Sequence, residues 1–194
     1  MRKLLSLFLV TLIIVALFYW ISGFDSKKYD DFEEAIKIGI PYEVNQIIHT
    51  EKYDNVTVVM YTTLLDKEDL PRSDPSDWEG LGVAFFTGND EEGWKNIGHN
   101  GWRHSENKNM TVYFDSLHED DYQGNKLHEF YLLYGKINNP DIAIIETKSK
   151  KEDSFEKTAI IEQGNRYYFK VGKNKETVVR GLSKSGDVLD IQGG

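Results

Sequence analysis

The pattern of apolar and polar positions divides the chain into three stretches. Residues 4–24 run without a single charged side chain. As a helix rising about 1.5 Å per residue, this 21-residue run is about 31 Å long, close to the thickness of a bilayer's hydrocarbon core. Arg2 and Lys3 precede it, and Tyr19 and Trp20 stand near its far end, where amphipathic rings settle at the interface. The pattern predicts a single transmembrane helix with its N-terminus in the cytoplasm and everything after it outside. The second stretch, residues 30–37, predicts one short amphipathic helix. Asp30, Asp31, Glu33 and Glu34 complement the dipole of its first turn, Phe32, Ala35 and Ile36 form one apolar face, and Gly39 and Pro41 end it.

From Val44 onward the period changes to two. Residues 44–50 and 56–64 are rich in β-branched and aromatic side chains, and Lys52-Tyr53-Asp54-Asn55 between them predicts a hairpin turn. Residues 66–79, with two prolines and a cluster of acids, predict a long exposed loop. Residues 81–87 and 94–97 flank a turn at 88–93, and Gly98-His99-Asn100-Gly101 demands a further turn or bulge. A strand is expected over 110–115, then a polar loop or short helix over 116–125. The last third reads as strands at 130–137, 142–147, 158–162, 166–171, 177–182 and 188–191, separated by polar turns. This spacing predicts a mainly β fold, an antiparallel β-sandwich-like exported domain. The expected organisation is an anchor over 1–24, a linker over 25–29 and an extracytoplasmic β-rich domain over 30–194.

Charge and composition sharpen this reading. The chain carries 32 acidic against 23 basic residues, a net charge of −9. Such an excess disfavours nucleic acid and anionic lipid headgroups as electrostatic partners. The absence of cysteine excludes disulfides, thiolate metal sites and a cysteine nucleophile. An aromatic content of 13% argues for a packed core rather than a disordered chain. The alternative for the N-terminal run is a cleaved signal peptide, which would leave a secreted protein. Against it, the run is long and its best cleavage position, after Gly23, places Ile21 where a small residue is preferred.

The segments PYEVNQIIHTEKYDNVTVVMYTT, GLGVAFFTGNDEEGW, YGKINNPDIAIIE, NRYYFKV and VVRGLSKSGDVLD carry a resemblance. With the basic start, apolar run and acidic helix before them, the chain resembles small exported or membrane-anchored β-rich proteins of Gram-positive, spore-forming bacteria. The resemblance implies a bacterial cell-surface setting and a β-rich fold, and brings no functional residue with it.

Chemistry is sparse. The five histidines, His49, His99, His104, His118 and His128, show neither His-x-His nor His-Glu-x-x-His spacing, so no metal site and no cofactor is assigned. Neither acidic run, Asn89-Asp90-Glu91-Glu92 or His118-Glu119-Asp120-Asp121, matches the spaced pattern of a calcium loop. No Gly-x-Ser-x-Gly occurs, and the Gly80/Gly82 pair opens a strand rather than a phosphate-binding helix. No catalytic residue is assigned. The most suggestive patch gathers Trp94, His99, Trp102, Arg103 and His104, because indole rings beside planar polar groups grip sugars and peptides at low entropic cost. The competing reading is that these tryptophans plug the ends of a core. The expected function is a binding or interaction module held at the membrane, its partner a cell-envelope protein or glycan. The alternative is an extracytoplasmic hydrolase acting on cell-wall sugars or peptides through His99, His104 and Asp115.

Overall fold

The computed structural model describes residues 28–64, 79–98 and 100–193. The apolar run of 4–24, the first part of the linker, most of the 66–79 loop and His99 lie outside the described residues. Among the described residues no helix is long and apolar enough to cross a membrane.

Helix α1 spans Phe32–Gly39. Its N-cap is Asp31, whose side chain accepts a hydrogen bond from Glu34 N at 2.7 Å, while Glu34 reaches back to accept from Asp30 N at 3.1 Å. Eight residues are too few to be helical alone. Packing supplies the rest: Ala35 and Ile36 are buried, and the Phe32 ring lies 5.8 Å from Phe86 and 4.5 Å from Trp94.

The fold is mainly β, with three antiparallel sheets and this one short helix. The helix-side sheet runs in the order β1 (Lys28–Tyr29), β5 (Gly93–Asn96), β4 (Glu79–Asn89), β3 (Val56–Leu64), β2 (Val44–Tyr53), and β6 (Trp102–Arg103) also pairs with β4. The middle sheet is β11 (Ile160–Gln163), β12 (Asn165–Gly172), β8 (Lys126–Ile137), β7 (Tyr113–Asp120). The far sheet is β10 (Glu156–Thr158), β9 (Ile144–Ser149), β13 (Glu176–Leu182), β14 (Val188–Gly193). Lys28 and Tyr29, placed in the linker by the sequence pattern, pair with Lys95 and Trp94.

Strict alternation stacks these elements. Val56, Val58 and Met60 of β3, with Leu81, Val83 and Phe85 of β4, share one core with Phe130, Leu132, Tyr134, Tyr167 and Phe169 of the middle sheet. The interleaved Val59, Tyr61, Ala84 and Phe86 point the other way, into a second core under α1. Leu133, Ile137 and Tyr168 leave the opposite face of the middle sheet and meet Ile142, Ile145 and Val179 of the far sheet. Each fully buried side chain of this kind stabilises by ~1.5–3 kcal/mol.

Other elements also differ from expectation. Residues 116–120, read as loop or short helix, continue β7. This strand is an edge, so only one face needs apolar residues: Leu117 is buried while Ser116, His118 and Asp120 face water. The single strand expected over 158–162 is two, β10 and β11, which turn at Ala159 to join different sheets. The predicted hairpin of β2 and β3 is present, and its turn residues Asp54 and Asn55 adopt φ of 50° and 59°, the left-handed pair that a two-residue loop needs.

At Gly135 the chain passes so close to its neighbours that a Cβ would collide with the Thr111 carbonyl oxygen and the Tyr168 hydroxyl, which are themselves hydrogen-bonded at 2.6 Å. Gly135→Ala should therefore cost ~1–3 kcal/mol in denaturant unfolding of the full chain; an unchanged midpoint would contradict this packing. Burial also raises the pKa of the Tyr61, Tyr134 and Tyr168 hydroxyls well above the usual 10.0, with nearby Tyr42 and Asp115 adding to the effect at the first two. An unfolded chain would lose these protons first, so the stability they confer is complete below about pH 10 and is lost as pH rises beyond it. Tyrosinate absorbance and loss of β circular dichroism should rise together in an alkaline titration. Complete ionisation of all 11 tyrosines with the dichroism intact would refute the assignment.

Candidate functional site

β4 begins at Glu79, and β6 lies beside it with Arg103 opposite Leu81 and Trp102 opposite Gly82. This pairing launches residues 104–112 across to the middle sheet, where Met110 bridges Ile137. The segment is tied down along its length. Asn107 Oδ1 accepts from the backbone N–H groups of Asn109 and Met110 at 2.8 and 3.2 Å, and Asn138 Nδ2 donates to the Asn107 carbonyl at 2.6 Å. Thr111 N donates to the Lys136 carbonyl, and Lys136 N to Thr111 Oγ1, both at 2.9 Å. Between this segment, the start of β4 and the middle sheet lies a cleft of about 620 Å³.

Its chemistry centres on Glu79. The Glu79 carboxylate accepts from Lys136 Nζ at 3.5 Å and from the Tyr167 hydroxyl at 3.4 Å. The Glu79 carbonyl lies 3.0 Å from His104 Nδ1. A carbonyl only accepts, so His104 carries its proton on Nδ1. Arg103, half exposed at the rim, has its guanidinium 3.9 Å from the largely buried Asp115 carboxylate. Burial raises the Tyr113 hydroxyl, opposed by hydrogen bonds with Thr111 and Ser105 and by the Arg103 charge. Burial likewise raises Tyr167, against a hydrogen bond from Asn165, and the Glu79 charge adds to the rise. Both hydroxyls thus remain protonated donors at neutral pH. The walls offer cationic donors, two carboxylates, Glu79 and Glu106, and several amide and hydroxyl groups, a set suited to a polar ligand bound by directed hydrogen bonds.

The sequence-predicted residues separate into three places. Arg103 and His104 line the cleft. Trp102 sits behind it, its ring so close to the backbone of Gly80 that a Cβ there would stand 3.0 Å away. Trp94 lies elsewhere, against Phe32 of α1, with its indole N–H donating to Asp90 Oδ1 at 2.6 Å. His99 is outside the described residues, and Asp115 is reached through Arg103. Glu79, Lys136 and Tyr167 were not among the sequence candidates. They come from three strands of two sheets, and nothing local in the sequence marks them. The other histidines stand apart: His49 lies 3.3 Å from Glu51, His118 3.1 Å from Asp120, and His128 3.3 Å from Asp54. Among the described residues no three His, Asp or Glu side chains converge as a metal-ligand group.

The Glu79 carbonyl fixes a tautomer that free imidazole disfavours, which is directly measurable. Long-range ¹H–¹⁵N correlation spectra at pH 8 should show His104 as the Nδ1–H form. An Nε2–H pattern would mean that this hydrogen bond is absent.

Comparison with family models, with curated proteins and with solved structures finds no match to this chain.

Proposed function

We propose that this chain is a single-pass membrane protein whose extracytoplasmic, sandwich-like domain binds a polar ligand of the cell envelope, a glycan or a peptide segment of an envelope protein. The observation that carries the reading is the cleft itself, about 620 Å³ in volume and lined by Arg103, His104, Glu79 and Lys136. Its walls come from elements locked by backbone hydrogen bonds, so the polar groups are preorganised and little ordering entropy remains to be lost on binding. The uncharged run of residues 4–24 supports the membrane setting, with the N-terminus in the cytoplasm and the domain outside. Release by signal cleavage would give the same domain as a secreted binder.

Arg103, Lys108 and Lys136 are the charged donors of the site, and a hydrogen bond from such a group contributes ~1.5–3 kcal/mol. Titration of the full chain in neutral detergent with soluble cell-wall glycan strands and with their stem peptides should show saturable binding to one of the two. Replacing Arg103 and Lys136 together by Ala should weaken that binding at least about ten-fold, equivalent to ~1.4 kcal/mol. Equal binding by the double variant would remove the cleft from the function. Recovery of the uncleaved chain from the cytosolic fraction without detergent would remove the membrane setting.

A further inference from the structure

At the other end of β8 from the cleft lies a second concavity with a different character. The cleft is bounded by Lys136 and Asn138, whereas this pocket, about 490 Å³, is bounded by Glu129 and Tyr131. Five residue steps of extended strand, about 17 Å, lead from Tyr131 to Lys136, and the two sites share no lining residue. Four lysines surround the pocket: Lys150, Lys151, Lys173 and Lys175.

Strand register puts them there. β9 ends at Ser149 and β13 begins at Glu176, and these two residues are paired partners. The turn leaving β9 carries Lys150 and Lys151, and the turn entering β13 carries Lys173 and Lys175, so antiparallel pairing sets the two turns side by side. In a chain with a net charge of −9, this concentrates positive charge at one place. The nearby acids offset it only in part: two are engaged by other lysines, and Glu152 alone keeps an unpaired charge. Glu129 is bound to Lys126, Glu152 accepts from Ser149 N at 3.1 Å, and Glu176 lies 2.9 Å from Lys170. None of the four lysines has an ion-pair partner among the described residues. A second observation points to a ligand. Ser149, only 2% exposed, lines the pocket, and its hydroxyl makes no hydrogen bond of ordinary geometry, although, after the backbone N–H of the same residue, it lies near enough to Glu152 to help hold that carboxyl below its usual range. A buried hydroxyl is normally paired.

The geometry points to a binding site for a phosphate oxyanion at these two turns, with the lysines supplying charge and the Ser149 hydroxyl a directed donor. A tetrahedral oxyanion accepts from several ammonium groups and a hydroxyl at once, and its charge relieves the repulsion among the four lysines. The shared chemistry is a phosphate group, whether free or carried on a lipid headgroup.

The test uses the full chain, isotope-labelled, in neutral detergent micelles, with ionic strength held constant by sodium chloride. Inorganic phosphate is the first probe and phosphatidylglycerol doped into the micelles the second. Saturable amide shifts confined to residues 149–151 and 173–177, with half-saturation on the order of 1 mM, support the site. Saturation by the doped lipid, after which free phosphate adds no shift, identifies a headgroup as the source; saturation by phosphate alone identifies the free ion. Lys150→Gln with Lys173→Gln should weaken binding at least ten-fold, and both positions are exposed, so the fold is preserved. Ser149→Ala should weaken binding several-fold with little loss of thermal stability, because the hydroxyl makes no hydrogen bond of ordinary geometry in the fold. Shifts that stay linear with phosphate, or that are unchanged in the lysine variant, overturn the proposal. So does a Ser149→Ala variant that loses stability while binding phosphate as before, since the hydroxyl would then serve the neighbouring carboxylates, Glu152 or Glu176.

Discussion

The whole fold depends on strands that are buried on both faces. Every residue of β3 from Val56 to Thr63 is buried, and so is β4 from Gly80 to Phe86. Such strands cannot separate an apolar face from a polar one. Their odd and even positions must instead satisfy two different cores, one under α1 and one against the middle sheet. A slip of one residue would exchange the two sets and place Tyr61 and Phe86 where Met60 and Phe85 belong. The short helix is part of the same constraint. It covers an apolar face that would otherwise meet water, which explains why an eight-residue helix persists.

Layering also decides where ligands find room. Stacked sheets pack tightly at their centres, while twist carries the strand ends apart. The cleft lies at the end of β8 near Lys136, and the lysine-lined pocket lies along its first half, beside Glu129 and Tyr131. The middle strand is thus a rigid spacer between two concave ends, its own side chains committed to cores on either side. Polar groups there can be held without cost to those cores, as Glu79 is held by Lys136 and Tyr167.

Local elements were legible from the sequence wherever a local cause exists. Asp31 and Glu34 mark the start of α1, and Asp54-Asn55 mark the hairpin of β2 and β3. Sheet membership was not legible, because it follows from long-range alternation. The break at Ala159 that sends β10 and β11 to different sheets has no turn residue to announce it. The acidic part of β7 was hidden by its own solvent face, since one buried residue, Leu117, sets the register of Leu117 on Phe130. At the candidate site Arg103 and His104 were legible as a polar pair beside a turn. Their partners Glu79, Lys136 and Tyr167 are brought in by three other strands and could be found only in space. The two tryptophans stand only eight residues apart, yet β5 carries Trp94 to the helix and β6 carries Trp102 to the back of the cleft.

Net charge acts at long range and local charge at short range, and here they have opposite signs. An excess of acids repels anions approaching from solvent, which is why composition disfavours anionic partners. Screening confines that repulsion to roughly 8 Å at physiological salt. Inside that distance an anion meets the nearest side chains rather than the average of the chain. Two lysine-bearing turns held side by side by the Ser149 and Glu176 pairing create a field that composition conceals. A site of this kind gains little from long-range electrostatic steering, so its occupancy must come from short-range, directed contacts rather than from capture at a distance. That is the physical role left for a buried hydroxyl such as that of Ser149: it contributes direction where the charge around it contributes only attraction.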